Sequence, residues 1–164
     1  QINDINSRLF DAYVESDQWQ KALDLWPAIE ARSKDDLKKL NNLFTVYEKL
    51  EKEKEGNALA VQILKKDANN LAALEWNAKR YYNLAENRYM SEMTAYKNNR
   101  TNKQYKKLLK AWDVIWPHFR KSRDYFLKLY KLDAQPKYAQ YLANIYTRMD
   151  KKKKAAYYKR LSKQ

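Results

Sequence analysis

Hydrophobic positions recur at helical spacing along nearly the whole chain, and one group of them repeats at a fixed distance. Residues 9–13 form a Leu-Phe-x-x-Tyr motif, residues 43–47 repeat it 34 residues later, and Tyr81 stands a further 34 residues on. A period of this size is typical of arrays in which each unit is one pair of helices. Such a pair buries its apolar face only against a neighbouring pair. The pattern therefore predicts an all-α repeat array.

The period fails once, between Tyr81 and Tyr146, which are 65 residues apart. Apolar residues continue at helical spacing through this gap, on both sides of an Asn-rich segment at residues 98–102. The 31 extra residues therefore predict that both helices of the third pair are prolonged into a hairpin arm, residues 85–115. At about 1.5 Å of rise per residue, this arm would extend roughly 20 Å.

Small residues also recur at one place in the pairs, as Ala22, Gly56 and Ala155, and the segments 66–70 and 132–136 share an Asp-Ala step between helices. Together with the 34-residue motif, these residues resemble the tetratricopeptide repeat. The resemblance implies an all-α fold, a right-handed α-α superhelix of about four tetratricopeptide-like helix pairs with the third pair extended into the arm. It also implies a single domain over residues 1–164, with repeats at about 3–36, 37–70, 71–135 (arm at about 85–115) and 136–164.

Two local expectations follow from this register. Gly56 coincides with Ala22, where the two helices of one pair cross most closely, so we expect a close helix contact there. The alternative is that Gly56 caps and ends a long first helix. Asp17 with Gln20 is similar to a capping box, which predicts that Asp17 opens the second helix of the first pair, and Asp150 occupies the equivalent place in the last pair.

The resemblance further implies a concave groove, lined by the first helices of the pairs, that holds an extended peptide or a partner helix. Amide and aromatic side chains at the groove positions could pair with backbone amides or anchor a ligand. The alternative is that Trp76 and Tyr82 only pack against the base of the arm. The predicted partner-binding residues are Arg8, Asn41, Asn42, Trp76, Lys79, Tyr82, Tyr141 and Asn144.

Composition favours helix and offers little for catalysis. The chain has 1 Gly, 3 Pro and no Cys, and its one His, His118, has no second metal ligand beside it. We therefore predict no enzyme activity, no cofactor and no metal site. Its apolar stretches are shorter than the roughly 20 residues that a membrane-spanning helix needs. The first residue, Gln1, is not Met, which favours an exported bacterial protein after signal-peptide removal or reflects only where the sequence was cut.

The net charge of +14 is concentrated in the second half of the chain. Residues 83–164 carry 21 Lys and Arg against 6 Asp and Glu, whereas residues 1–82 are nearly neutral. This asymmetry indicates an acidic partner, or it reflects only solvated lysine-rich helices. The predicted basic patch comprises Lys106, Lys107, Lys110, Lys151, Lys152, Lys153, Lys154 and Arg160.

These observations lead to a non-enzymatic binding scaffold or adaptor that recognises a peptide or protein segment in the concave groove. The alternative is electrostatic binding of nucleic acid or an anionic membrane surface by the basic C-terminal half, which we rank second. A third interpretation is that the arm mediates self-association.

Overall fold

The structure of the chain, a computed structural model, describes residues 2–164 except for the side chain of Asn3. Gln1, whose identity underlies the expectation of an exported protein, lies outside the described residues. Those residues form eight α-helices and no strand, which confirms the predicted all-α helical-repeat fold. The helices are α1 (Ile2–Glu15), α2 (Trp19–Ser33), α3 (Leu37–Lys49), α4 (Glu53–Lys66), α5 (Leu71–Asn98), α6 (Asn102–Leu132), α7 (Pro136–Arg148) and α8 (Lys152–Leu161).

The third pair of helices is about twice as long as the others, as predicted. Helix α5 has 28 residues and α6 has 31, whereas the remaining helices have 10 to 15. The Asn-rich segment provides the turn between them. Thr101 caps α6, because its hydroxyl accepts a hydrogen bond from the backbone N–H of Gln104 at 3.2 Å.

The chain divides into two compact units, one up to Trp76 and the other from Asn77 to Gln164. Each has its own apolar core. The core of the first unit comes from α1 to α4 and the start of α5, and includes the fully buried Phe10 and Leu43. The core of the second unit comes from α5, α6 and α7, and includes Phe119, Phe126 and Leu142. Whether the chain functions as a single domain stays a prediction.

The turn inside three of the pairs has one recurring geometry, which corrects the expected role of Asp17. Asp17, Glu51 and Asp150 all adopt positive φ, at 58°, 55° and 53°. In each case the next backbone N–H returns to the carbonyl of the repeated tyrosine five residues before it, as from Gln18 to Tyr13 at 2.8 Å. This is the Schellman arrangement that ends a helix. Asp17 and Asp150 therefore terminate the first helix, and the residues that begin α2 and α8 make no side-chain cap.

Gly56 lies inside α4, so the interpretation that it ends a long helix is wrong. The expected close contact exists, but its partner differs from the expected one. A Cβ built on Gly56 would lie 2.1 Å from Cζ2 of Trp76, on the first helix of the next pair. Only glycine leaves room for the indole ring at this position.

Candidate binding site

In the first unit, a polar network joins the predicted groove residue Asn42 and its neighbour Lys39 on α3 to α1. Lys39 Nζ donates to Asp11 Oδ2 at 2.6 Å and to the Ser7 carbonyl at 2.6 Å, and Asn42 Nδ2 donates to Asp11 Oδ1 at 2.9 Å. Lys39 is only 6% exposed. The side-chain amide of Asn42 thus helps to hold α3 against α1. Sequence reasoning missed Lys39, whose one signal is a charged residue directly before the core residue Leu40.

The network also sets the protonation of Asp11. Burial alone raises the pKa of its carboxyl, but the hydrogen bond and charge of Lys39 outweigh burial, with help from Asn42 and Lys38. The pKa of Asp11 therefore lies below its ordinary value of 3.8. Near neutral pH, Asp11 is an ionised acceptor held between two helices.

Two other predicted positions in this unit, Arg8 and Asn41, are exposed. Arg8 makes one ion pair with Asp4, at 3.5 Å on the surface of α1. The side chain of Thr45 donates to the backbone carbonyl of Asn41 at 3.0 Å. The side chains of Arg8 and Asn41 therefore lie where a ligand could reach them, and their role stays a prediction.

Trp76 packs within the first unit. Its ring covers Gly56 and stacks on Phe44 with centroids 5.1 Å apart, and its Nε1 donates to Asn57 Oδ1 at 2.9 Å. These contacts use one face of the indole and its only hydrogen-bond donor. Trp76 thus packs against α3 and α4 rather than against the base of the arm, and its ring is half-buried.

In the second unit, three predicted positions from α5 and α7 come together. The rings of Tyr82 and Tyr141 meet edge to face at 4.9 Å, and Asn144 Nδ2 donates to the Tyr82 hydroxyl at 3.4 Å. Tyr141 also stacks on the core residue Phe126 at 4.4 Å. All three predicted residues are half-buried, so each presents part of its surface to solvent. We call Tyr82, Tyr141 and Asn144 the aromatic–amide cluster.

The aromatic–amide cluster lies beside an ion pair that sequence reasoning missed. Arg148 donates from Nε to Glu86 Oε2 at 3.0 Å and also from its terminal nitrogen to the same carboxylate, while its guanidinium lies 4.1 Å from the centre of the Tyr89 ring. The hydrogen bonding to Glu86 raises the pKa of Arg148, and burial and the Glu86 charge raise the pKa of Tyr82. Arg148 and Glu86 are 62 residues apart, so no local motif indicates their pairing. Lys79, also predicted here, lies half-buried on α5.

The predicted basic patch falls on two different helices of the second unit. Lys106, Lys107 and Lys110 are exposed on α6, where they line a shallow surface depression together with Lys103. Lys151 to Lys154 are exposed at the beginning of α8, and Arg160 is exposed near its end. Lys154 Nζ lies 5.4 Å from the centre of the Tyr146 ring. The patch is thus two basic surfaces, one on each helix.

The first unit also contains a cleft of about 380 Å³ that no sequence motif indicated. Trp26, Leu40 and Ile63 are among its apolar walls, and Glu30 and Lys66 among its charged ones. Within the described residues, no three His, Cys, Asp or Glu side chains are grouped so that they could hold a metal ion. None of the described helices is long and apolar enough to cross a membrane.

The known proteins that are similar to this chain are distant from it. No protein-family model matches the chain, and no curated protein matches it. Among solved structures, the chain is similar to a MamA mutant at 15% identity and a TM-score of 0.43, over 98% of this chain and 95% of that one. It is also similar to "MamA MSR-1 C2" at 14% identity and a TM-score of 0.42, over 98% and 94% of the two chains. Similarities at this level support no conclusion about what the chain binds.

Proposed function

We propose that this chain is a non-enzymatic tetratricopeptide-like scaffold that binds a peptide or protein segment through the first helices of its pairs. The observation that carries the proposal is the aromatic–amide cluster, where groove positions predicted on α5 and α7 lie side by side. Rigid, half-exposed tyrosines are typical anchors of protein interfaces. The proposal includes a single functional domain of four repeats.

The cluster suits a peptide backbone better than a purely apolar ligand. Asn144 carries both donor and acceptor groups, and its Oδ1 accepts from Gln140 Nε2 at 2.9 Å. The ring of Tyr141 is fixed by its stacking on Phe126, so little side-chain entropy is lost when a ligand binds there. In the first unit, Arg8 and Asn41 would form a contact surface of their own. Asn42 and Trp76 would support that surface from within, because their polar groups contact Asp11 and Asn57.

The test is selection of peptides from a random library displayed on phage, with the full chain as bait. The double variant Tyr82→Phe/Asn144→Leu removes the two polar groups and nearly keeps side-chain volume. At about 1 kcal/mol for each lost hydrogen bond, binding of the selected peptides should weaken about thirtyfold. The matched control is Tyr105→Phe/Asn99→Leu on the arm, whose residues are exposed and outside the cluster. Selected peptides that bind both variants equally well would refute the proposal.

A second candidate function, binding of nucleic acid or an anionic membrane surface, is favoured by the exposed lysines at the beginning of α8. It predicts affinity for a single-stranded oligonucleotide or anionic vesicles that falls steeply with salt. Lys152→Glu/Lys153→Glu should weaken that affinity strongly. Binding that is absent, or insensitive to salt and to both substitutions, would eliminate this candidate.

A further inference from the structure

Helix α6 carries a line of basic side chains along one side. At about 100° per residue, they fall within an arc of about 80°, and they span about 37 Å of helix. Pro117 interrupts α6 directly before His118, so the line has a segment on each side of the proline. We name it the α6 basic stripe; its members are Lys103, Lys107, Lys110, His118, Lys121 and Lys128.

The stripe presents charge to solvent. Lys103, Lys107, Lys110 and Lys121 are exposed, and within the described residues no ion pair neutralises the first three. The acidic residues of α6 fall outside the arc of the stripe. One of them, Asp124, pairs with Arg123 at 2.9 Å. The stripe therefore presents unneutralised positive charge at Lys103, Lys107 and Lys110.

Helix α5 adds further positive charge at the second segment. Arg80 Cζ lies 5.3 Å and Lys121 Nζ lies 5.0 Å from the centre of the Tyr81 ring, and the ring of His118 lies 5.8 Å from it. Burial lowers the pKa of His118, and the charges of Lys121 and Arg80 lower it further. Three cationic or protonatable groups thus converge on one tyrosine.

The surroundings of the stripe favour one class of anionic partner. Single-stranded nucleic acid needs open aromatic faces for base stacking. The ring of Tyr81, however, is covered by Arg80 and Lys121 and lies parallel to that of Tyr125 at 6.1 Å. Insertion into a bilayer needs a continuous apolar face, and between Lys103 and Lys128 the arc of the stripe contains Val114 as its one exposed large apolar residue. Carboxylates spaced three or four residues apart on a helix match the spacing of the lysines.

We propose that the α6 basic stripe, with Arg80 beside it, is a docking surface for an acidic segment of a partner protein. Complementary charges along the stripe and along the acidic segment speed the association of the two proteins and fix the register in which they bind. This surface shares no residue with the aromatic–amide cluster, so the two proposals can fail independently. A partner that binds both would gain avidity from the second contact.

The probe is a labelled, alanine-based helical peptide of about 25 residues with Glu at every third or fourth position, so that its length matches the stripe. Its control has Gln in place of each Glu. Binding to the full chain is measured by fluorescence anisotropy at low and moderate salt. The variant Lys107→Glu/Lys121→Glu should bind the Glu peptide at least about tenfold more weakly. Lys54→Glu/Lys65→Glu, which changes the same charge on exposed positions of α4, should change binding less than about threefold.

The chain's one histidine gives a second measurement, which reports binding at the stripe itself rather than general attraction to the net charge of the chain. Because the chain has 1 His, the ring protons of His118 give one assignable set of proton NMR signals. The Glu peptide should shift them in the wild type and not in Lys107→Glu/Lys121→Glu. Melting curves should show that both variants remain folded, because all four substituted lysines are exposed.

Several results would overturn the proposal. Equal weakening by the two variants, equal binding of the Gln peptide, or unmoved His118 signals would show that the stripe is not a specific surface. A single-stranded oligonucleotide or anionic vesicles serve as competitors. Tighter binding of either, lost in Lys107→Glu/Lys121→Glu, would assign the stripe to that polyanion and exclude the acidic protein segment.

Discussion

Gly56→Ala should destabilise the first unit even though alanine is the better helix former. In an open helix position the change would add about 1 kcal/mol of stability. Here the new Cβ would lie 2.1 Å from Cζ2 and 2.5 Å from Cη2 of Trp76, both far below contact distance. The indole ring cannot move away freely, because it stacks on Phe44 and donates to Asn57 at 2.9 Å.

The magnitude follows from these contacts. Overpacking of a well-filled site costs about 1–3 kcal/mol, and moving the ring also weakens an aromatic pair worth about 1 kcal/mol and a hydrogen bond worth about 1 kcal/mol. Losing about half of these two contacts costs about 1 kcal/mol, which offsets the gain in helix propensity, so we expect Gly56→Ala to lower the free energy of unfolding by about 1–3 kcal/mol. Urea unfolding followed by far-UV circular dichroism measures this change.

A double-mutant cycle isolates the cause. In a Trp76→Leu background the obstacle is smaller, so Gly56→Ala should become neutral or stabilising by up to about 1 kcal/mol. If Gly56→Ala stabilises the chain that retains Trp76, the close contact is not present in solution. If it destabilises both backgrounds equally, the cost does not come from the indole ring.

Three further substitutions test other contacts, each by urea unfolding. Asp17→Gly should raise the free energy of unfolding by about 0.5–1 kcal/mol, because glycine adopts its φ of 58° without strain, and a lower urea midpoint would contradict this. Asp11→Asn should lower it by about 3 kcal/mol by leaving the buried Lys39 ammonium without its carboxylate. Since the pKa of Asp11 lies below 3.8 in the folded chain, the wild type should lose this contribution as the pH falls below about 4, and the variant should lack that acid-dependent loss. Arg148→Lys should lower the free energy of unfolding by about 1–2 kcal/mol, because lysine cannot reproduce the bidentate pairing with Glu86. An unchanged urea midpoint would show that the pair contributes nothing to stability.

Local periodicity was enough to predict the helices and the prolonged third pair. The 34-residue motif and the gap of 65 residues between Tyr81 and Tyr146 both follow from helical spacing, which is a property of neighbouring residues. The turn at Asp17 could not be predicted in the same way. Its left-handed backbone is usually adopted by glycine, and here an acidic residue adopts it, so its sequence is typical of a helix start instead.

The candidate site was harder to predict because the decisive contacts join distant residues. The repeat indicates which side of a helix faces its neighbour, but it does not indicate that Asn42 pairs with Asp11 or that Trp76 fills the space above Gly56. Each of these pairings depends on the relative position of two helices. The half-buried polar positions of the first unit therefore support packing at the same time as they could contact a ligand.

The two candidate surfaces differ in how cleanly a substitution can test them. At the groove positions, a change at Asn42 or Trp76 also removes contacts that hold the first unit together, so lost binding and lost stability would appear together. On the arm, the residues that pack the two helices together are not the residues that carry the charge. Ring pairs such as Tyr89 with Trp112, at 5.4 Å, join α5 to α6, whereas Lys107 and its neighbours point to solvent. Because the lysines contribute little to the fold, any binding that their substitution abolishes must come from the surface they form.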